Sequence, residues 1–181
     1  MAKLIYSATA SLDGFIAGPG GDMSWLTEHI GGENPTADRV LARTGAILVG
    51  RVTFGGDDPN AGTDAEGAFG GQYDGPVVVL THRPPEDHPL SACSPEGVEF
   101  ATDLPTAVER AKALAGDRDV NILGADVAAQ CLDAGLLDEV LMFFAPVLLG
   151  DGTPIFRRPG GRQVRLERLP GESEHWYRVV R

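Results

Sequence analysis

The sequence predicts an α/β protein in which a mostly parallel mixed β-sheet lies between two layers of helices and ends in an antiparallel C-terminal hairpin. Three short runs are almost wholly apolar, AILVG (46–50), PVVVLT (76–81) and VNILG (120–124), as in strands that a parallel sheet buries on both faces. Segments with helical periodicity separate these runs, which is the order of βαβ units. The last two segments, RQVRLERL (162–169) and EHWYRVVR (174–181), alternate between polar and apolar residues as hairpin strands do.

The other elements can be placed in chain order. KLIYSATA (3–10) is the first strand, and the glycine-rich loop GPGGD (18–22) follows it. Asn34 and Pro35 have the residue types of a helix cap and a first helical residue for TADRVLART (36–44). The remaining elements are a strand VEFAT (98–102), a helix from a cap at Asp103 to Gly116, a helix ADVAAQCLDAG (125–135) and a strand DEVLMFFAPVLL (138–149).

Length and charge limit the class of protein. The chain has 181 residues and no internal repeat or linker, so we expect a single domain over residues 1–181. The net charge of −11 argues against nucleic acid or an anionic membrane as the main partner, because both are polyanions. A small anionic molecule held by one or two local arginines remains compatible with that charge.

Two cysteines, Cys93 and Cys131, are too few for a disulfide framework, and we expect both to be reduced. The N-terminal residues lack the apolar core of a signal peptide, and no apolar run reaches the about 20 residues that span a bilayer. We therefore expect a cytoplasmic protein. The four histidines are scattered, so the sequence predicts no metal site.

Polar or glycine residues follow three of the apolar strands. These three strand ends read Gly50-Arg51-Val52-Thr53, Thr81-His82-Arg83 and Gly124-Ala125-Asp126. Ligands of open α/β sheets bind outside the carboxyl ends of the strands, where glycine admits a phosphate and arginine matches its oxygens. Each residue alone has a simpler reading, a solvated arginine or a packing glycine. Together they favour an elongated polyanion such as a dinucleotide, although no G-x-G-x-x-G fingerprint follows a strand.

Four segments resemble a known family. They are SLDGFIAGPGGDMSWL (11–26), ILVGRVTF (47–54), VVVLTHRP (77–84) and ILGADVAAQCLDAGLLDEVLMFFAPVLLGDGTPIF (122–156). In order and spacing they are similar to the dihydrofolate reductase-like fold, and within it to the reductase domain of riboflavin biosynthesis, the RibD C-terminal domain. The resemblance covers nearly the whole chain, and the segment 122–156 is its most specific part.

The resemblance implies an NADPH-dependent reductase. By position, it assigns Gly50, Arg51 and Thr53 to the cofactor phosphates and Thr81, His82 and Arg83 to the adenosine 2′-phosphate. It assigns Gly124, Ala125, Asp126 and Val127 to the pyrophosphate. The loop from Asp13 to Trp25 then covers the nicotinamide and the substrate.

The chain departs from the family at several positions. Ala125 stands where the family often has a second glycine. Ile30 stands where dihydrofolate reductases carry an acid, and Glu28 is the nearest acid. The zinc ligands of the deaminase domain in bifunctional riboflavin enzymes are absent, so we expect a reductase domain that stands alone.

On the substrate side, Asp13 is the first candidate for a proton donor, and its alternative role is a turn residue in the pair Asp13-Gly14. Trp25 either stacks on the nicotinamide or substrate ring or belongs to the core. The glycine- and acid-rich segment 55–76 is either a flexible loop or a lid.

Two functions follow from these residues and the resemblance. The first is an NADPH-dependent reductase of a small heterocyclic or carbonyl substrate, of the 5-amino-6-(5-phosphoribosylamino)uracil reductase or dihydrofolate reductase type. The alternative is an NADPH-binding sensor or accessory protein without turnover. The apolar strand 138–149, with Met142, Phe143, Phe144 and Val147, further predicts a symmetric homodimer.

Overall fold

The computed structural model describes residues 2–29, 32–56, 58, 60–83, 97–171 and 175–181. The strands are β1 (Leu4–Ser11), β2 (Phe15–Ala17), β3 (Thr44–Gly50), β4 (Val77–Leu80), β5 (Val98–Ala101), β6 (Asp119–Leu123), β7 (Glu139–Ala145), β8 (Thr153–Pro154), β9 (Arg165–Arg168) and β10 (Trp176–Val180). The helices are α1 (Pro35–Arg43), α2 (Arg51–Phe54), α3 (Leu104–Ala115) and α4 (Ala125–Asp133), with short 3-10 turns at Pro19–Gly21 and Ser24–His29.

The main sheet has eight strands in the order β5-β4-β3-β6-β1-β7-β10-β9. All neighbours from β5 to β7 are parallel, whereas β10 runs antiparallel to both β7 and β9. This arrangement confirms the predicted mostly parallel mixed sheet with an antiparallel C-terminal hairpin. The carboxyl ends of β4, β3 and β6 lie side by side as a consequence.

The helix ends follow the local chemistry of their caps. The side chain of Asn34 accepts a hydrogen bond from the backbone N–H of Ala37 at 3.1 Å, and that of Asp103 accepts one from Thr106 at 2.9 Å. Helix α3 ends before Gly116, whose φ of +63° suits glycine. The predicted cap positions are therefore confirmed.

The predicted strand 138–149 is too long. Strand β7 ends at Ala145, because Pro146 has no N–H to donate to a neighbouring strand and the chain turns there. The predicted helix 36–44 also ends one residue early, since Thr44 already belongs to β3.

The two faces of the sheet have separate cores. Helices α3 and α4 cover one face, where Ala111 and Ala128 pack with Leu48, Ile122 and other strand residues. Helix α1 covers part of the other face, where Val40 packs with Ile5, Leu141 and Trp176. The three layers of the prediction are therefore present, with the sheet between helices.

Two features were not predicted from the sequence. Strands β2 and β8 form a separate two-stranded antiparallel sheet, which is too short to leave a periodic pattern. In the glycine-rich segment 55–76, Phe69 and Tyr73 pack against the core under β3 and β4. The Tyr73 hydroxyl also donates a hydrogen bond to the Pro76 carbonyl at 2.9 Å, which ties this segment to the sheet.

Candidate functional site

A cleft lies where the carboxyl ends of β4, β3 and β6 meet. Its volume is about 520 Å³. The lining residues are Gly50, Arg51, Val52, Thr53, Leu80, Thr81, His82, Arg83, Gly124, Asp126, Val127 and Gln130. The fold thus brings together all three strand ends that the sequence predicts to bind a ligand, since parallel strands deliver their carboxyl ends to one edge.

The backbone at the centre of this cleft is closely packed. Gly124 links β6 to α4 with a φ of +95°, and a Cβ atom at this position would lie 2.4 Å from the Thr53 hydroxyl. A Cβ atom on Gly50 would lie 3.2 Å from a methyl group of Val127. Glycine at 124 is required both by backbone conformation and by space, and it leaves the peptide backbone bare at the cleft.

The first turn of α4 faces the cleft without a side-chain cap. Its N-cap residue is Gly124, which has no side chain to accept a hydrogen bond from the first N–H groups. By contrast, Asn34 caps α1 and Asp103 caps α3. Backbone N–H groups and the positive end of the helix dipole are therefore available at the cleft, an arrangement suited to an anion.

Two arginines and a histidine line the same cleft as this helix end. Arg51, His82 and Arg83 line the cleft and are exposed to solvent. The Thr81 side chain accepts a hydrogen bond from the backbone N–H of Arg83 at 3.2 Å, and the Thr81 N–H donates to Ala101 at 2.9 Å. These two bonds fix the backbone that carries the arginine, while the guanidinium remains accessible.

Asp126 is the only acid among the described lining residues. Its carboxylate accepts a hydrogen bond from the Gln130 amide, one helical turn further along, at 2.8 Å. The amide thus holds the carboxylate along the flank of α4. Ala125, by contrast, does not line the cleft, because its side chain is 7 % exposed and packs inward.

Asp13 lies beyond the end of β1 and outside the cleft lining. One carboxylate oxygen accepts hydrogen bonds from the Ser11 hydroxyl at 2.6 Å and the Leu149 N–H at 3.1 Å, and the other accepts from the Gly150 N–H at 2.7 Å. The Ser11 bond, followed by the backbone bonds, holds the pKa of Asp13 below its usual range. An ionised acceptor suits the structural role of Asp13 better than the role of proton donor.

Trp25 lies in the 3-10 turn Ser24–His29 and is half-buried. Its ring centroid is 6.3 Å from that of His29. The indole N–H is shielded from solvent and has no hydrogen-bond partner among the described residues. Glu28 on the same turn is exposed, and Ile30 lies outside the described residues.

The other reactive side chains that the structure describes lie outside the cleft lining. Cys131 on α4 is buried, and burial raises the pKa of its thiol to about 12, so it is an unreactive packing residue. His88 and Cys93 lie outside the described residues. Within the described part of the chain, no group of three His, Cys, Asp or Glu side chains is placed to hold a metal ion.

Sequence reasoning named Val52 in a strand end without giving it a role, and it missed Leu80 and Gln130 as cleft residues. Leu80 ends β4 and Val52 lies on α2, so both give the cleft an apolar surface. Gln130 is missed because it follows the strand end by a full helical turn. Gln130 follows Asp126 by four residues on the predicted helix, and this spacing could have indicated that the two side chains lie on the same helix face.

Comparison with known proteins adds two findings. The family model of the RibD C-terminal domain matches residues 2–173. No curated protein matches the chain significantly.

In the described ranges, no helix is long and apolar enough to cross a membrane.

Solved structures share the fold. A Shewanella sp. PV-4 protein assigned to riboflavin biosynthesis is 21 % identical, with 99 % of this chain and 97 % of that chain covered and a TM-score of 0.68. The riboflavin biosynthesis reductase Rib7 of Saccharomyces cerevisiae is 15 % identical, with coverage of 99 % and 89 % and a TM-score of 0.54. A Thermotoga maritima deaminase/5-amino-6-(5-phosphoribosylamino)uracil reductase is 19 % identical, with a TM-score of 0.55. The match covers 98 % of this chain and 55 % of the Thermotoga maritima chain.

Proposed function

The chain belongs to the RibD C-terminal domain family of riboflavin-biosynthesis reductases, and from this premise we propose that it is an NADPH-dependent reductase of a small heterocyclic or carbonyl substrate. The proposal includes the pyrimidine type of substrate, because the Thermotoga maritima protein of the same fold is named for a uracil derivative. The arrangement that carries the proposal is the cleft at the ends of β4, β3 and β6. There an uncapped helix end, a bare glycine backbone and two arginines converge.

The residues present fit a dinucleotide phosphate. Any side chain on Gly124 would collide with the Thr53 hydroxyl, so this turn keeps its backbone accessible to a phosphate. The N–H groups of the first turn of α4 have no side-chain cap, and together with the positive end of the helix dipole they favour binding of an anion. In our proposal this turn, together with Gly50, Arg51 and Thr53, holds the pyrophosphate.

Arg83 and His82 form the other end of the cleft, beside Thr81. A guanidinium binds a phosphate monoester through charge-assisted hydrogen bonds, which are stronger than bonds between neutral groups. We assign the 2′-phosphate of NADPH to Arg83 on this basis. Val52 and Leu80 offer the apolar contacts that a purine ring needs.

NADPH, when bound, supplies the hydride, and the chain's own contribution is to bind and orient. The carboxyl end of β1 adjoins that of β6 in the sheet, so the segment from Asp13 to Trp25 begins at the strand end beside the cleft. We place the substrate there. Trp25 lies on this segment, and its indole N–H is shielded from solvent and has no hydrogen-bond partner among the described residues.

The test is a pair of measurements on the full-length protein. NADPH binding is followed by fluorescence titration, and NADPH oxidation is followed with a panel of pyrimidine, pterin and carbonyl acceptors. We expect both binding and turnover with at least one class of acceptor. Binding without turnover by any acceptor would favour the NADPH-binding sensor, and absence of binding would reject both functions.

A further inference from the structure

Two chain segments that are far apart in sequence are joined beyond the carboxyl ends of β1 and β7. The Leu12 N–H donates to the Val147 carbonyl at 2.9 Å, and the Ile155 N–H donates to the Gly14 carbonyl at 2.9 Å. Strands β2 and β8 continue the same junction. Residues 146–152, here called the 146–152 loop, connect β7 to β8.

The Asp13 carboxylate is the side-chain part of this junction. Its two oxygens accept from two consecutive backbone N–H groups of the 146–152 loop, those of Leu149 and Gly150. Successive N–H groups that point to one anion form a nest, whose partial positive charges favour a carboxylate over a neutral acceptor. The carboxylate thus occupies a position that holds the loop against the end of β1.

Ser11 fixes the carboxylate in turn. Its side chain is fully buried, and its hydroxyl oxygen accepts a hydrogen bond from the Phe15 N–H at 3.0 Å. The same hydroxyl donates to Asp13 at 2.6 Å. The position of the carboxylate is therefore set in part by the first strand and its turn.

We propose that Asp13 is a positioning residue that clasps the 146–152 loop to the end of β1 and so fixes the wall of the site beside the substrate. The effect on the substrate site rests on the proposed reductase activity, whereas the hydrogen bonds between Asp13 and the 146–152 loop do not depend on it. Strand β1 lies between β6, which ends at the cleft, and β7, which leads into the loop. A loop held at the end of β1 therefore borders the space beside the cleft in which we propose that the cofactor binds.

The clasp requires a carboxylate. In Asp13→Asn, one of the two acceptor oxygens becomes an NH₂ group, which faces a backbone N–H donor of Leu149 or Gly150. An amide of nearly the same size therefore loses at least one of the two loop bonds. This outcome differs from that of an ordinary Asp-Gly turn, where asparagine replaces aspartate well.

The first test is hydrogen exchange on the ligand-free, full-length protein. We expect Asp13→Asn to speed exchange of the Leu149 and Gly150 amides by about 10-fold, because the loop opens locally more often. Asp151→Asn is the matched control, since Asp151 lies in the same loop and, among the described residues, its carboxylate accepts a hydrogen bond from the neighbouring Gly152 N–H. Unchanged protection in Asp13→Asn would overturn the clasp.

A second variant guards against unfolding. Ser11→Ala removes the hydroxyl that fixes the carboxylate but leaves both loop bonds possible, so we expect a smaller rise in exchange at the same two amides. The Phe15 N–H also loses its acceptor in this variant, so a rise at the Leu149 and Gly150 amides in addition to that at Phe15 supports the clasp even if Asp13→Asn fails to fold. If Asp13→Asn does not fold, Ser11→Ala decides the question. A folded Ser11→Ala protein in which the Leu149 and Gly150 amides exchange at the parent rate would overturn the clasp.

The third readout separates positioning from proton transfer. With the best acceptor of the turnover assay, we expect Asp13→Asn to lower kcat/KM by roughly 10–100-fold while the pH profile of kcat keeps its shape. The loss of one limb of that profile would make Asp13 a proton donor and overturn the positioning role. If no acceptor turns over, the reductase proposal fails, and the exchange result still decides the clasp.

Discussion

At the scale of single residues, Asp126 opposes the charge that the cleft otherwise presents. Its carboxylate lines the same cleft as Arg51 and Arg83, where the Gln130 amide holds it. We expect Asp126→Asn to tighten NADPH binding by about 3–10-fold at low salt, because it removes a like charge near the phosphates. Fluorescence titration at two salt concentrations measures this effect. Asp117→Asn, outside the cleft on the exposed end of the α3–β6 connection, is the control and should leave affinity unchanged.

Arg83 tests the choice of cofactor. We expect Arg83→Ala to weaken NADPH binding by roughly 10–100-fold and to leave NADH binding nearly unchanged, because a charge-assisted bond to the 2′-phosphate is lost. Parallel titrations with the two cofactors measure the ratio. Arg168→Ala is a control, since Arg168 is exposed on β9 at the far edge of the sheet. Equal losses for both cofactors would remove Arg83 from the 2′-phosphate site.

At the scale of elements, the turn from β6 into α4 sets how closely a ligand approaches the sheet. Gly124→Ala introduces a Cβ at a φ of +95° and 2.4 Å from the Thr53 hydroxyl, so the turn must shift. We expect about 1–3 kcal/mol lower free energy of unfolding and a loss of NADPH affinity. Denaturant unfolding and fluorescence titration measure the two effects.

Gly116→Ala is the matched control for this turn. Gly116 also has a positive φ, +63°, but its Cβ would meet nothing within 4 Å. This variant has the conformational cost alone, about 1 kcal/mol, and should bind NADPH like the parent. If Gly124→Ala loses stability but keeps full affinity, the turn has a structural role only.

At the scale of the whole molecule, the homodimer stays a prediction, and three exposed apolar side chains are the candidates for its interface. Met142 and Phe143 are packed within the chain's own core. These three side chains, here called the patch, are those of Leu12, Phe144 and Leu148, which are 62 %, 39 % and 71 % exposed. We expect a symmetric dimer at micromolar concentration, because burying these side chains in a second copy removes apolar surface from water. Light scattering measures the mass.

Leu148→Glu should convert this dimer into a monomer, because a charge at the centre of an apolar interface is costly to desolvate. Leu114→Glu is the control, since Leu114 is 38 % exposed on α3 and away from the patch. A parent protein that shows only a 19.1 kDa species would reject the dimer.

The strand ends were predictable because each depends on a short local pattern. Gly50, Thr81 and Gly124 follow apolar runs, and the rule that parallel strands end at one edge brings them together without knowledge of the strand order. The caps at Asn34 and Asp103 are equally local, because a cap bonds to an N–H three residues away. In this protein the sequence by itself determined the sheet type, the starts of α1, α3 and α4 and the edge that forms the cleft.

The tertiary structure decided the contacts between distant segments. Asp13 is separated from Leu149 by 136 residues, and only the placement of β1 beside β7 brings them into hydrogen-bond distance. Met142 and Phe144 are two residues apart on β7 and so point to the same face of the sheet, yet Met142 is buried and Phe144 is exposed. Strand alternation predicts which residues share a face, but only the tertiary structure shows what covers each of them. Residue types limit which bonds a side chain makes, whereas the strand order determines which partner is near enough to make them.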